Sequence, residues 1–350
     1  MNSQEDSKVH LDWYSKNRPI YKDLCAKVEF ILKEVLEINN INYHSITSRA
    51  KDILSFEAKI NKPKYTDPKT QITDLCGVRI ICYVESDLQK ICKLLETNFI
   101  IDKENSLDKS LLLGDDKVGY KSIHYVSSLD SNRLCLPEYS KFEGLKFEIQ
   151  VRTILQHAWA EIEHDRSYKF SGVLPSDIAR KFKLLAGNLE LIDKEFDNIA
   201  NLIDAISDDV VRGTKSGNLD FELNSTTLRN FLETKFHDLI ESGLATKEYG
   251  FYQGEEIVIQ ELNDFGISTI KELDDIIPEK LSEKLKQYKV LTNLLGILRD
   301  VMLINDYKKY FKNCYKDKWA IISMYDESNY YNDFGIDVKQ LAREYDNHNL

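Results

Sequence analysis

A chain of 350 residues with a formal charge of −11 can bury one large core or two modest ones, and that charge argues against broad, nonspecific nucleic-acid binding while leaving room for a local basic patch. No apolar run approaches a membrane span and the polar start MNSQEDSKVH has no apolar signal region, so a cytoplasmic protein with no membrane partner is expected. Six cysteines (Cys25, Cys76, Cys82, Cys92, Cys135 and Cys314) are scattered without a CxxC pair, several inside apolar runs such as IICYV and KICKLL. That is the thiol used as a small hydrophobe in a reducing compartment, and it argues against zinc. With 14 glycines and neither a Walker A loop nor GxGxxG, any nucleotide phosphate has to be held by side chains.

Pro19–Asn39 reads as an amphipathic helix whose stripe runs through Leu24, Val28, Ile31, Leu32, Val35 and Leu36. Tyr43–Lys51 (YHSITSRAK) is a short extended segment with Arg49 and Lys51 on one face. A helix bearing Ile53, Phe56 and Ile60 follows and carries Ser55 and Lys59 one turn apart. Arg49, Lys51, Lys59 and Lys62 form either a solvated basic face or a phosphate site, and the second needs an acidic, metal-binding partner. Asp74 is the candidate. It sits at the mouth of Leu75–Val84, a nearly continuous apolar run that reads as a buried central strand. Arg79 interrupts that run, and an arginine in a buried strand must be paired or reach a ligand.

Ser86–Phe99 is a helix capped by Ser86 or Asp87, and the polar, irregular Ile100–Gly119 reads as a mobile loop. Gly119–Leu129 (GYKSIHYVSSL) alternates, with Ile123 and Tyr125 toward a core and Tyr120, Ser122 and His124 on the other face. After a hairpin-like link at Asp130–Gly144 comes Lys146–Lys169, KFEIQVRTILQHAWAEIEHDRSYK. Its first half is a strand, with Phe147, Ile149 and Val151 opposite Glu148, Gln150 and Arg152. Its second half is a helix with Leu155, Trp159 and Ile162 on a stripe. An acid, an amide and an arginine projecting together form a site floor or an exposed strand face. Strands interleaved with helices predict an α/β (α+β) architecture, a mixed β-sheet flanked by helices.

One long helical pattern runs from Pro175 to about Asp208, with Ser176 or Asp177 as its cap. The stretch DDVVRGTKSGNLD, rich in Gly, Ser, Asp and Thr, reads as a linker. The expected division is a first domain at 1–210, a linker at 211–220 and a mainly helical domain at 221–350. Within the last, Asp264–Ile277 reads as a small helical hairpin and Leu281–Tyr310 as a longer helix.

In order and spacing, TSRAK…S…K, DLCGVRII, GYKSIH and EIQVRT…AWAEIEHD…YK together resemble the synthetase domain of RelA/SpoT alarmone synthetases, over Tyr43–Lys169. The resemblance implies a nucleotidyltransferase-like fold and a pyrophosphokinase moving the β,γ-diphosphate of ATP onto the 3′-hydroxyl of GDP or GTP, with magnesium as cofactor. It also implies roles. Arg49 and Arg79 sandwich the adenine; Lys51, Ser55 and Lys59 hold the ATP phosphates. Asp74 and Glu148 are the catalytic, magnesium-binding acids, Glu148 also serving as base for the 3′-hydroxyl. Tyr120 stacks on the acceptor base, with Lys121, His124, Gln150, Arg152 and His157 around the acceptor and its phosphates. Two departures from the common pattern, Lys121 where many members carry Arg and the surroundings of His157, both touch the acceptor side.

The hydrolase domain of bifunctional members is not expected, and the dipeptides His164-Asp165 and His237-Asp238 read as structural. A second reading keeps the enzyme and changes the acceptor to the 3′ end of tRNA, as in toxic members resembling this family, with the C-terminal domain as a restraint released by a protein activator. Tyr325, Tyr330 and Tyr331 then either enter the adenine slot or, as favoured, pack the helical domain. A third reading, an inactive binding module, is disfavoured by the joint presence of Arg49, Lys51, Lys59, Asp74, Tyr120 and Glu148. A homo-oligomer is left open.

Overall fold

The alternation Phe147, Ile149, Val151 finds its match in Val78 and Ile80 of the neighbouring strand, and this apolar layer organises the first half of the chain. The computed structural model describes residues 3–108, 122–169, 175–247, 254–315 and 328–345. Among them, a five-stranded sheet is built from β1 (Ser45–Ala50), β2 (Cys76–Cys82), β3 (Ile100–Asp108), β4 (Ile123–Ser128) and β5 (Phe147–Thr153), in the order β1-β2-β5-β4-β3. β2 and β5 are parallel at the centre, and the remaining pairings are antiparallel, so the sheet is mixed. Helices α1 (Ser3–Ile38) and α4 (Glu85–Asn98) cover its apolar face through Leu24, Val28, Leu32, Ile91 and Leu95.

Four local readings are corrected. Helix α1 begins at Ser3 and carries Pro19 inside it. Proline forfeits one backbone hydrogen bond, and tertiary contacts hold the turns before it: buried Tyr14 stacks on Phe56 with ring centroids 4.4 Å apart. Residues 100–108 form edge strand β3, not a loop. An edge strand pairs on one side and needs no apolar alternation, and a register irregularity between Asp102 and Leu107 further hides the pattern. Neither Ser86 nor Asp87 caps α4. Its N-cap is Val84, and the Ser86 amide instead donates to Asp197 Oδ1 at 2.6 Å. The link from β4 to β5 contains two single helical turns, α5 (Ser131–Leu134) and α6 (Pro137–Ser140).

Between α1 and the sheet's second strand lie α2 (Ile53–Ile60) and the short α3 (Pro68–Gln71). After β5 the chain turns directly into α7 (Ile154–Lys169) and then into α8 (Ser176–Ser216), 41 residues long. The glycines that marked a linker at 211–220 do other work. Gly213 lies inside the helix, where a Cβ would come within 2.4 Å of the Asn218 carbonyl oxygen, and Gly217, at φ +81°, terminates it. The chain divides into compact units at Asn201/Leu202.

The second unit is mainly helical and has its own core, with Phe231, Leu232, Leu262, Leu298 and Met302 fully buried. The expected hairpin at Asp264–Ile277 is present as the end of helix Glu255–Asp264, a turn at Gly266 and helix Ile270–Ile276, whose start is a Thr269–Glu272 capping box. The single helix expected over Leu281–Tyr310 is interrupted twice, between Leu281–Tyr288 and Leu294–Asn313 and again inside the latter at Asp306, whose φ −155° and ψ 87° are not helical. Lys289 takes a left-handed φ of 52° and Asn293 caps the second helix through the Gly296 amide, a break invisible to apolar spacing. Tyr330 and Tyr331 are buried and hydrogen-bond Asp300 in this unit, so both pack the helical domain. Tyr325 lies outside the described residues.

Arg299 and Glu261, both buried in this core, form a two-pronged ion pair at 2.9 and 3.1 Å. Removing one partner leaves an uncompensated buried charge, so Glu261→Ala is expected to cost about 3–5 kcal/mol of the second unit's stability in urea unfolding. Replacing both residues by leucine should recover most of that loss.

Candidate active site

Strand register lays the site out. On the face opposite the core, Arg49 is level with Gly77 and Gly77 with Glu148, while Thr47, Arg79, Gln150 and His124 form the next row. The middle of the first row is a glycine, so a cleft of about 320 Å³ opens there, walled by Arg49, Lys51, Ser55, Asp74, Arg79, Glu148 and Gln150.

Asp74 is the electrostatic centre. Its Oδ2 accepts from Lys51 Nζ and from Lys59 Nζ, each at 2.7 Å. Burial alone would raise the Asp74 pKa; the hydrogen bonds and charges of the two lysines outweigh it and hold the carboxyl below its usual range. Lys59 moves the other way, its pKa raised because Asp74 outweighs the effect of burial. The backbone of Lys51 is held from both ends. Its amide donates to the Leu75 carbonyl at 2.9 Å, and its carbonyl accepts from Tyr14 Oη at 2.7 Å and Arg18 Nε at 3.0 Å. Asp52 caps α2 by accepting from the Leu54 and Ser55 amides, which aims Ser55 and Lys59 at the cleft.

Glu148 belongs to a side-chain relay. Its Oε1 accepts from His124 Nδ1 at 2.9 Å and from Gln150 Nε2 at 2.8 Å. With the proton on Nδ1, His124 Nε2 accepts from Ser122 Oγ at 2.7 Å, and Arg152 Nη2 donates to Gln150 Oε1 at 2.9 Å. Burial pushes the Glu148 pKa up, but the bonds from His124 and Gln150 more than reverse it and leave it lowered. His124, Gln150 and Arg152, implied for the acceptor region, here orient the carboxylate.

Arg79 finds a partner that sequence reading did not name. Its Nη1 donates to Glu161 Oε1 at 3.0 Å, from α7. The signal was the demand that a strand arginine be paired; which acid answers it depends on how α7 packs. His157, one turn before Glu161, has its pKa lowered by burial and then by the charge of Arg79. Arg49 makes no ion pair among the described residues, and Tyr120 and Lys121 lie outside them. Tyr14, Arg18 and Glu161 were all missed as supports, because each acts through a neighbour distant in sequence.

The donor set suits a hard cation. Asp74 Oδ1 is buried and has no hydrogen-bond partner, while the charge of Asp74 reaches Glu148. Among the described residues no group of three or more metal-ligating side chains occurs, and they offer this carboxylate pair. That is the number expected where phosphate oxygens and water complete the shell.

Residues 48–172 match the model for the region found in RelA and SpoT proteins. Over this segment the chain is similar to RelA and SpoT proteins. It is similar to the GTP pyrophosphokinase YwaC of Bacillus subtilis (strain 168), at 28% identity over 212 residues, 57% of this chain and 96% of that protein. It is also similar to YjbM, a GTP pyrophosphokinase of the same organism, at 26% over 156 residues, covering 44% and 70%. Among solved structures, small alarmone synthetase 1 from Bacillus subtilis aligns at 23% identity with a TM-score of 0.47, covering 55% of this chain and 98% of that one.

The lowered pKa values of Asp74 and Glu148 set a pH dependence. Each contributes stability that is present above the ordinary carboxylate pKa and lost as pH falls through the lower folded value. The stability advantage of the wild-type chain over Asp74→Asn and Glu148→Gln is therefore expected to be full at neutral pH and to shrink below about pH 5, as followed by denaturant unfolding.

Proposed function

We propose that this chain is an ATP-dependent pyrophosphokinase that transfers the β,γ-diphosphate of ATP to the 3′-hydroxyl of GDP or GTP, and that it does not hydrolyse the product. The observation that carries the reading is the pair of lysines converging on Asp74 across an open cleft from Glu148. The named activity of the two Bacillus relatives supports it.

In this reading Lys51 and Lys59 trade the Asp74 carboxylate for phosphate oxygens of ATP, so each ammonium group has an anionic partner before and after binding. Arg49 and Arg79 stack their planar guanidinium groups on the adenine. Asp74, through its unpartnered Oδ1, and Glu148 would hold magnesium, which supplies positive charge to the transferring phosphoryl oxygens. Glu148, held ionised, accepts a hydrogen bond from the 3′-hydroxyl and orients it in line. A carboxylate of low basicity positions the nucleophile more than it deprotonates it in advance, which suits a loose transfer in which positioning and cationic stabilisation dominate. Gln150, Arg152 and His157 border the acceptor side in this reading, and the motif implies the same role for Tyr120 and Lys121.

A second acceptor, the 3′ end of tRNA, is favoured by one feature. Beyond Lys59 lie Lys62, Lys64 and Lys69, with Lys64 over Tyr65 at 4.8 Å and Lys69 over Trp13 at 5.4 Å. Lys62 and Tyr65 border an open cleft of about 920 Å³. Cations interleaved with aromatics suit a polyanion with exposed bases, despite the acidic whole. In that version the second unit restrains the first until a protein activator binds.

ATP labelled in its γ-phosphate, offered with magnesium and GDP, GTP or deacylated tRNA, separates these. Label on guanosine nucleotides is the expected outcome; label on RNA alone would replace the first acceptor by the second. Asp74→Asn and Glu148→Gln should each lower transfer by at least about 100-fold with unchanged circular dichroism. Wild-type turnover in either overturns the assignment.

A further inference from the structure

Arg79 stands on the cleft face in a row that offers it no anion: its register neighbours Thr47, Gln150 and His124 carry no negative charge. The carboxylate one row away, Glu148, is engaged through Oε1 by His124 and Gln150. The strand arginine is met instead from outside the sheet, where Glu161 Oε1 on α7 accepts from Arg79 Nη1 at 3.0 Å. The first turn of α7 sets this up. Thr153 ends β5; its Oγ1 accepts from the Gln156 amide at 3.2 Å, and its amide donates to Gln156 Oε1 at 3.1 Å. These reciprocal bonds form a capping box. Thr153 Oγ1 also donates to buried Asp193 Oδ2 at 2.6 Å, which ties the helix start to α8. Glu161 follows about two turns on. His157, one turn before it, brings Nδ1 to 3.7 Å from the same Glu161 oxygen. Burial and the charge of Arg79 lower the His157 pKa, so at neutral pH the ring is uncharged and leaves the carboxylate to the arginine.

The direction of that bond matters. The N–H donors of a guanidinium lie in its plane, and its two faces carry none. A carboxylate bonded at the edge therefore fixes the plane without occupying a face. The pair is only partly covered, with Arg79 29% and Glu161 56% exposed, so it adds little to the stability of the fold. Its worth lies in orientation. We propose that Glu161 is a positioning residue for the nucleotide donor, holding the Arg79 guanidinium by its edge so that a face stays presented to the adenine. This rests on the reading of the cleft as an ATP site. Glu161 meets no reacting atom and acts through Arg79.

Calorimetric titration of the full chain with ATP and magnesium tests this, with steady-state transfer as the second readout. Glu161→Ala should weaken ATP binding about fivefold, as expected for one exposed ion pair. Circular dichroism should not change, because the position is exposed and alanine favours helix. In transfer the loss should fall on KM for ATP, with kcat and the KM for the acceptor retained. Glu161→Gln keeps an oxygen acceptor at the guanidinium edge and should recover most of the loss. Arg79→Ala should weaken ATP binding at least as much, and adding Glu161→Ala to it should change nothing further. Wild-type protein that fails to bind ATP overturns the donor reading and this inference together. ATP bound as well or better by Glu161→Ala overturns the inference alone. An additive loss in the double variant does the same, as does a loss that falls on the acceptor KM, which would assign Glu161 to the acceptor side through His157.

Discussion

Two ammonium groups on one carboxylate oxygen, Lys51 and Lys59 on Asp74, are the contact on which the rest of the first unit depends. A half-buried carboxylate is tolerable only when paired, and the pairing has to be undone without stranding charge when an anion arrives. Phosphate oxygens meet that condition. The structure thus shows both lysines paired with an anion, and the contacts around them keep their backbone in place. Tyr14 and Arg18 on α1 grip the Lys51 carbonyl, the Leu75 carbonyl just before β2 grips its amide, and Asp52 fixes the start of the helix that delivers Lys59.

The sheet serves the same end. A parallel β2–β5 pair at its centre puts Gly77 between Arg49 and Glu148, so the floor is empty where a nucleotide would lie. Any larger residue there would project into the cleft. The apolar face beneath is closed by α1 and α4, which leaves the polar face free to carry arginines, acids and an amide. Glu148 is braced through Oε1 by His124 and Gln150, which sets both its direction and its low basicity. A transfer that relies on alignment more than on proton abstraction needs such a rigid acid.

The second unit contributes a different constraint. Its core accommodates one buried ion pair and draws Tyr330 and Tyr331 inward to Asp300, so these tyrosines belong to packing. The described residues thereby form two apolar cores, one in each unit.

The sequence by itself determined the strands that alternate and the residues that carry charge in unusual places. Arg79 inside an apolar run, Asp74 at its mouth, and Glu148, Gln150 and Arg152 on one strand face were all legible, because a period of two or a misplaced charge is a local property of the chain. Lys51, Lys59 and Asp74 are named by motif, yet only the folded chain brings both ammonium groups to one oxygen. Tertiary structure also decided what local pattern cannot express. Edge strand β3 has one ladder and no alternation to display; α1 runs through Pro19 because Tyr14 is anchored on Phe56; Gly213 serves close approach inside a helix that composition alone would break. Glu161 pairs with Arg79 across 82 positions of chain, a distance over which sequence spacing carries no geometry and only the packing of α7 on the sheet does.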